Sequence, residues 1–336
     1  MWFIAFFSEK YADFLTFVVV FLTRDTKRVS RVTSLEVTRQ FKFKVMKNIL
    51  IADAGSTKTQ WVLLNDSHES VLCNTKGFNP NYNRIEELTN DLKTSLHPDF
   101  QQNIDRLYYY GTGCGSEKNR SVVAEALHSV FGDAQIEVTH DMMAAAHSVL
   151  GHSKGVACIL GTGSNACLYD GKSIVKNAVS LGYILGDEGG GADIGSHLLR
   201  DYFYGIMPAD LREKFGNQYH VTREDVIQKV YREPAPSAFL ASFTKFAGQN
   251  IDNQYVYNLC HACFSRFVDY HVQPLCDDCC DVGFVGSVAY YFSDILSKCI
   301  SEKGLNVTKI VKQPITGLIE YHRQLDNQRF KIFSKK

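Results

Sequence analysis

No apolar stretch in this 336-residue chain reaches the roughly 18 residues that a helix needs to cross a bilayer. The nearest is Phe14–Leu22, FLTFVVVFL. As a signal peptide it fails on its flanks, because Glu9 and Asp13 precede it and no small-residue cleavage site follows. An excess of one charge is missing too. Lys+Arg and Asp+Glu each total 36, so no global field draws the chain to nucleic acid or to an anionic membrane. Specificity must then reside in local sites.

The composition is that of a folded chain, 45% apolar and 21% charged, not that of a disordered one. Its length suits two domains. The ten cysteines are scattered, where a disulfide scaffold would be short and cysteine-dense. Several sit inside apolar runs, as Cys158 does in VACIL, where a free thiol behaves as a small hydrophobe. Reduced thiols in the cytoplasm are the expectation. Residues 1–45 lack turn punctuation and a clear period, and a regular pattern begins only after Met46-Lys47. Met46 is therefore the expected start, with 1–45 as upstream sequence or a poorly ordered leader.

From Asn48 the pattern is α/β. Asn48–Asp53 reads as an apolar strand, Ala54–Thr57 as a small-residue turn and Thr59–Asn65 as a second strand, together a hairpin. A strand near 71–75, a helix near 84–96, a strand at 106–110, a helix at 119–131, a strand at 136–139 and a helix from Asp141 follow. The order then restarts, with strand Gly155–Leu160, turn Gly161–Ser164, strand Ala166–Tyr169 and a third strand at 173–177. The turns DAGST (53–57) and GTGSN (161–165) lie about a hundred residues apart, a domain length. This predicts a duplicated βββαβα unit, with domains over 47–150 and 151–314. The second copy carries a helical insertion, 193–273. After it come a strand at 281–285, a helix at 288–300, a strand at 306–311 and a terminal helix at 315–325.

The two hairpin turns carry the first chemistry. Gly55, Ser56 and Thr57, and Gly161, Thr162, Gly163 and Ser164, offer backbone N–H groups and hydroxyls to phosphate oxygens. Lys58 or Thr59 could add a donor. Asp53, just before the first turn, suits Mg²⁺, a hard cation that prefers carboxylate oxygen. Facing turns of a duplicated unit would grip one polyphosphate from both sides. In Val282–Val288 a strand ends in glycine and hands over to a helix capped by Ser287, so Gly283, Gly286 and Ser287 leave room for a flat nucleoside. Asp141 opens a helix at a strand end, where α/β sheets bind ligands, and is the candidate base; the alternative is simple helix capping. The run Gly186–Gly195 is too glycine-rich to be a packing element. Its Asp187 and Glu188 could accept sugar hydroxyls, and the helix after it could stabilise phosphate charge. His140 and His147 read as structural. The C-x-x-C spacings at Cys260/Cys263 and Cys276/Cys279 could hold zinc or an iron–sulfur cluster, although Cys260 and Cys263 also share one face of a helix.

With these motifs in view, DAGSTKTQW (53–61), THDMMAAAHS (139–148), LGTGSNACLYDG (160–171), GDEGGGADIG (186–195) and VGFVGSVA (282–289), the chain resembles the N-acetylglucosamine kinase/BadF-type ATPase family of the sugar kinase–Hsp70–actin superfamily. The resemblance spans about residues 47–326. It implies two RNase H-like (actin-like ATPase) domains around a cleft, with the terminal helix packed back on the first. It implies ATP and Mg²⁺ as cofactors, with the two turns on the phosphates and Gly283, Gly286 and Ser287 by the adenosine. Asp141 matches the catalytic base of the amino-sugar kinases and Asp187 a sugar-hydroxyl contact. Asn81 in GFNPNY, with Asn79 beside it, falls at a sugar-binding asparagine. Gly182 belongs to the same sugar side, but Leu181-Gly182 stands where those kinases often carry Trp-Gly. N-acetylmuramic acid therefore stays open beside N-acetylglucosamine.

The expectation is a cytoplasmic sugar kinase acting on a small molecule, with no nucleic-acid or membrane partner and with a homodimer left open. Two rivals remain. One is an ATPase that drives a partner through an Fe–S cluster shared by two subunits, for which Cys114 in GTGCGSE is a candidate ligand. The other is a sugar sensor that has kept the fold without the catalysis.

Overall fold

In the computed structural model the residues described are 6–7, 18–19, 48–65, 70–101, 103–276 and 281–333. The chain divides into two compact units, Met1–Lys47 and Asn48–Lys336. In the first, Phe6–Phe7 pairs antiparallel with Val18–Val19; the rest of the expected leader lies outside the described residues.

The second unit is built twice over. Strands β1 (Ile49–Ala54), β2 (Lys58–Leu64) and β3 (Ser70–Lys76) form an antiparallel meander. Helix α1 (Ile85–Ser95) leads to β4 (Arg106–Gly111), α2 (Glu117–Phe131), β5 (Gln135–His140) and α3 (Asp141–Leu150). β4 lies parallel to β1, and β5 parallel to β4, so the sheet order is β3-β2-β1-β4-β5. The second copy repeats this with β6 (Gly155–Leu160), β7 (Ser164–Tyr169), β8 (Ile174–Asn177), β9 (Asp281–Val285) and β10 (Asn306–Val311), in the order β8-β7-β6-β9-β10. This is an α/β, two-domain, actin-like architecture. The central strands β1 and β6 are apolar and buried along almost their whole length, as strands covered on both faces must be.

The insertion between β8 and β9 is helical: α4 (Gly191–Phe203), α5 (Ala209–Tyr219), α6 (Arg223–Tyr231), α7 (Pro236–Ser242), α8 (Thr244–Gln249) and α9 (Gln254–Phe267). A π turn, Val268–Val272, continues α9. The helix expected over 288–300 is two pieces, α10 (Ser287–Tyr291) and α11 (Ser293–Glu302). The terminal helix α12 (Ile315–Phe333) is longer than expected. It does pack on the first sheet, where Ile315 and Leu318 join Ile49, Ile51, Val62 and Tyr110 in one buried cluster.

α3 lies between the copies. Ala144 packs with the first-sheet cluster, while Met142, Ala145, Ala146 and Val149 pack with Ala157, Cys167, Tyr169 and Val285 of the second sheet. Near its C-terminal end, the buried Tyr110 hydroxyl lies 2.8 Å from His147 Nδ1 and 2.9 Å from His322 Nε2. The ring of His147 also stacks on Tyr321, with centroids 3.8 Å apart. A hydroxyl has one proton, so it donates to one imidazole and accepts from the other. Both rings are neutral: burial, and then His152, push His147 down to about 3, and burial, His147 and Arg106 hold His322 well below its ordinary value.

This ties stability to pH. In the unfolded chain both histidines bind protons below about pH 6.5 and in the folded chain they do not, so acidification favours unfolding by up to about 1.4 kcal/mol per pH unit for each group. The contribution is complete above about 6.5 and fades toward about 3. Asp53 has the opposite sign, so the test is a comparison: between pH 6.5 and 5 the unfolding free energy of His322→Asn should fall less steeply than that of the wild type. Parallel slopes would contradict the assignment.

Candidate nucleotide and acceptor site

The first turn is shaped from below. Gly55 N–H bonds to the Lys58 carbonyl at 3.0 Å, Gly77 N–H to Thr57 at 3.0 Å and Phe78 N–H to Gly55 at 3.1 Å. A Cβ on Gly77 would collide with the backbone of Ser56, Thr57 and Lys58, so the strand after β3 can support the turn only as glycine. Ser56, Thr57 and Lys58 are left exposed. Thr59 is not available: it is buried, and its hydroxyl donates to the Lys76 carbonyl at 3.1 Å.

Asp53 is the last residue but one of β1, beside this turn. Burial, and then the Asp141 carboxylate, push its carboxyl up to about 7, with Lys58 pulling the other way. Two carboxylates crowded in this way are relieved by a cation, so Asp53 fits the Mg²⁺ expectation by its donor chemistry. Asp141 begins α3, and its Oδ2 accepts the Thr112 hydroxyl at 3.0 Å. Thr112 N–H in turn bonds to Ala54 O at 2.8 Å, which ties the turn after β4 to the first hairpin turn. Asn79 is buried and donates to Ser56 Oγ at 3.3 Å. Asn81 Oδ1 accepts from Asn119 Nδ2 at 2.8 Å, and that same amide reaches Gly113 O at 2.7 Å. Ser56, Asn79 and Asn81 thus form one hydrogen-bonded chain, and Asp141 reaches the residue after Asp53, with partners that include Thr112, Gly113 and Asn119. Sequence reasoning missed these last three, although GTG at 111–113 is a further small-residue turn at a strand end.

The second turn is framed by the acidic loop. Gly161 O and Thr162 O accept the N–H groups of Gly191 and Ala192, each at 2.8 Å. Gly189 N–H goes to Asp193 Oδ2 at 2.9 Å. The first amides of α4 are therefore spent inside the protein, contrary to the expectation that they face phosphate. Ser164 N–H donates to Asp187 Oδ1 at 3.3 Å, and burial raises the Asp187 carboxyl, opposed by that bond. Ser164 Oγ is buried without a partner among the described residues, a donor suited to a phosphate oxygen. Glu188 meets His271, with 2.7 Å between Oε2 and Nε2. Gly182 starts a short helical turn, Gly182–Leu185.

A cavity of about 640 Å³ opens on this turn, within the range of small-ligand sites. Gly161 and Thr162 line one side, Thr244, Lys245 and Gln249 of α8 another, and Ser287 and Tyr291 a third. Thr244 fixes α8 by donating to Gly191 O at 2.7 Å. Gly286, at φ +127°, is where a Cβ would collide with Leu160 O, so the β9–α10 corner sits directly against the end of β6. Gly286 is also the N-cap of α10, and no side chain caps that helix, which corrects the expected role of Ser287. Gly283 does not reach the cavity: its missing Cβ faces Val149 of α3. The α8 residues were missed because nothing in an insertion of amphipathic helices marks one turn as a wall.

The expected cysteine sites fare differently. Cys279 and Cys280 lie outside the described residues, and Cys260 and Cys263 are buried thiols on one helix. Asp193, His197 and Cys263 bring ligand atoms together. However, Arg266 Nη2 already lies among them, 3.3, 2.9 and 3.3 Å away respectively.

This constellation defines a nucleotide-handling protein of actin-like fold. A family model, that of the BadF/BadG/BcrA/BcrD ATPase family, matches residues 52–205. A crystal structure from Porphyromonas gingivalis, of a protein provisionally named an N-acetylglucosamine kinase, is similar at 39% identity and TM-score 0.77, over 82% of this chain and 99% of that one. The chain belongs to the BadF/BadG/BcrA/BcrD ATPase family. A second provisionally named N-acetylglucosamine kinase, from Chromobacterium violaceum, shares the fold at TM-score 0.64 and 18% identity, over 82% of this chain and 99% of that one. No curated protein matches the chain by sequence.

Gly77→Ala tests the first turn. The added methyl must displace the turn, so Mg-ATP affinity should fall at least about tenfold, with a stability loss of about 1–3 kcal/mol. Gly115→Ala, where a methyl meets nothing, should change neither. Calorimetric titration with thermal melts reads both, and equal behaviour of the two variants would refute the assignment.

Proposed function

We propose that the protein is an ATP-dependent kinase that phosphorylates a hydroxyl of an N-acetylated amino sugar. The observation that carries this reading is Asp141. Its carboxylate is held by Thr112 at the start of α3, beside the first phosphate turn and within electrostatic reach of Asp53. Phosphoryl transfer needs little covalent chemistry from the protein; it needs positioned charge and a carboxylate for the proton of the attacking hydroxyl.

In this reading the two turns hold the phosphates, and the cavity walled by α8 and α10 takes the nucleoside. Mg²⁺ held near Asp53 would neutralise charge between the β- and γ-phosphates. Asp141 accepts the acceptor's proton. Asn79 and Asn81 on one side, and Asp187 on the other, present polar groups to the sugar. The similarity to the Porphyromonas gingivalis protein supports N-acetylglucosamine as acceptor, and N-acetylmuramic acid is next. The buried free thiols of Cys114, Cys158, Cys167, Cys260, Cys263 and Cys299 accord with a cytoplasmic setting. Against the partner-driving ATPase, Cys114 is fully buried, whereas a cluster shared by two subunits needs its ligand at the surface.

A coupled ADP-release assay with Mg-ATP decides, using N-acetylglucosamine, N-acetylmuramic acid, N-acetylmannosamine, glucosamine and glucose. The expected result is turnover that depends on one acetylated sugar and falls by about 10²–10⁴ in Asp141→Asn. ATP hydrolysis indifferent to every sugar would overturn the kinase reading.

A further inference from the structure

The acidic loop between Gly186 and Asp193 is held by one helix end on the far side of the chain. α9 runs through Arg266 and passes without a break into the π turn that carries His271. Arg266 Nη2 lies 3.3 Å from Asp193 Oδ2, and His271 Nε2 lies 2.7 Å from Glu188 Oε2. One helix thus grips the loop at two points, Glu188 and Asp193. Between the grips, Gly189 lies flat on the same helix, with a Cβ there only 3.0 Å from Phe267 Cβ. Neighbouring Asp187 is held at φ +60°, a left-handed backbone that costs a non-glycine residue free energy and persists only where its surroundings enforce it.

The His271–Glu188 pair can enforce it. The His271 side chain is 10% exposed and that of Glu188 20%, so the pair is little screened, unlike a solvent ion pair. It locks the residue next to the strained one, and it leaves Glu188 Oε1 without a partner among the described residues. The π turn matters as well. Such turns insert one residue into a helix and cluster at functional sites. An ordinary α-helical path would rotate His271 by about 100° away from Glu188. Neither residue touches the cavity lined by α8 and α10.

We propose that His271 is a positioning residue for the acceptor. Acting through Glu188, it holds the acidic loop so that the carboxylates of Asp187 and Glu188 meet the sugar's hydroxyls, while the bonds of Gly191 and Ala192 to Gly161 and Thr162, which do not involve it, keep the nucleotide turn in place. This rests on the kinase reading and deepens it, because it assigns acceptor affinity to the helical insertion.

The test uses the full chain with His271→Leu, which removes the donor, and His271→Gln, whose amide nitrogen reaches the place of Nε2. The expected result for His271→Leu is a KM for the sugar at least about tenfold higher, with KM for ATP within about twofold. His271→Gln should recover most of the loss. Adding His271→Leu to Glu188→Gln should cost little more than Glu188→Gln alone, since a residue acting through another has nothing further to lose. Amide hydrogen exchange of 186–193 supplies a readout that needs no sugar: the loop should exchange faster in His271→Leu and at the wild-type rate in His271→Gln. A sugar KM that does not move, sugar and ATP KM rising together, or unchanged loop exchange would each overturn the role of His271. A wild type that turns over no sugar while loop exchange still responds would sink the kinase reading alone.

Discussion

Helix α3 is buried on nearly every side, and the rest of the molecule is arranged around that fact. Its three successive alanines, Ala144–Ala146, are at most 1% exposed. One faces the first sheet and two the second. A thin helix allows two five-stranded sheets to approach the same axis, and close packing leaves no slack for larger side chains. Because α3 follows β5 directly, its first residue emerges at the strand ends, where α/β sheets bind ligands. Asp141 is that residue. The same burial that fixes α3 also fixes its carboxylate.

The local electrostatics follow from this. Asp141 and Asp53 approach closely enough that the Asp53 carboxyl rises to about 7, burial being the larger cause. Such crowding is unfavourable in the free protein and is relieved by a bound cation, which is how a phosphate site can remain poised for a metal–nucleotide complex. At the other end of α3, His147 and His322 share the Tyr110 hydroxyl, so the terminal helix is tied to the helix that carries Asp141. The two halves of the site are also built differently. The first turn rests on Gly77 and Phe78 of its own sheet. The second is braced by an insertion, through Thr244, Asp187 and the α4 amides.

Much of this was legible from residues alone. The duplicated sheets followed from apolar runs of strand length broken by small-residue turns, and the restart at GTGSN marked where the second copy begins. Asp53, Asp141 and both turns stood out because their chemistry lies at strand ends. Three features were not legible, for physical reasons. A glycine in a strand does not say which face its missing Cβ occupies, so Gly283 was placed by the nucleoside and lies against Val149. Ser287 has the composition of a cap, but Gly286 holds that position. The partnership of Glu188 with His271 spans 83 residues and depends on a π turn, which no amphipathic pattern encodes. The cavity wall on α8 was hidden because nothing in an insertion of amphipathic helices marks one turn as a wall.

The most direct measurement is a crystal structure of the protein with a non-hydrolysable ATP analogue, Mg²⁺ and N-acetylglucosamine. The arrangement above predicts the β- and γ-phosphates between residues 55–57 and 161–164, the base against Gln249 and Tyr291, and one sugar hydroxyl within hydrogen-bond reach of Asp141, about 2.6–3.2 Å. A nucleotide bound elsewhere, or a sugar held away from Asp141, would contradict it.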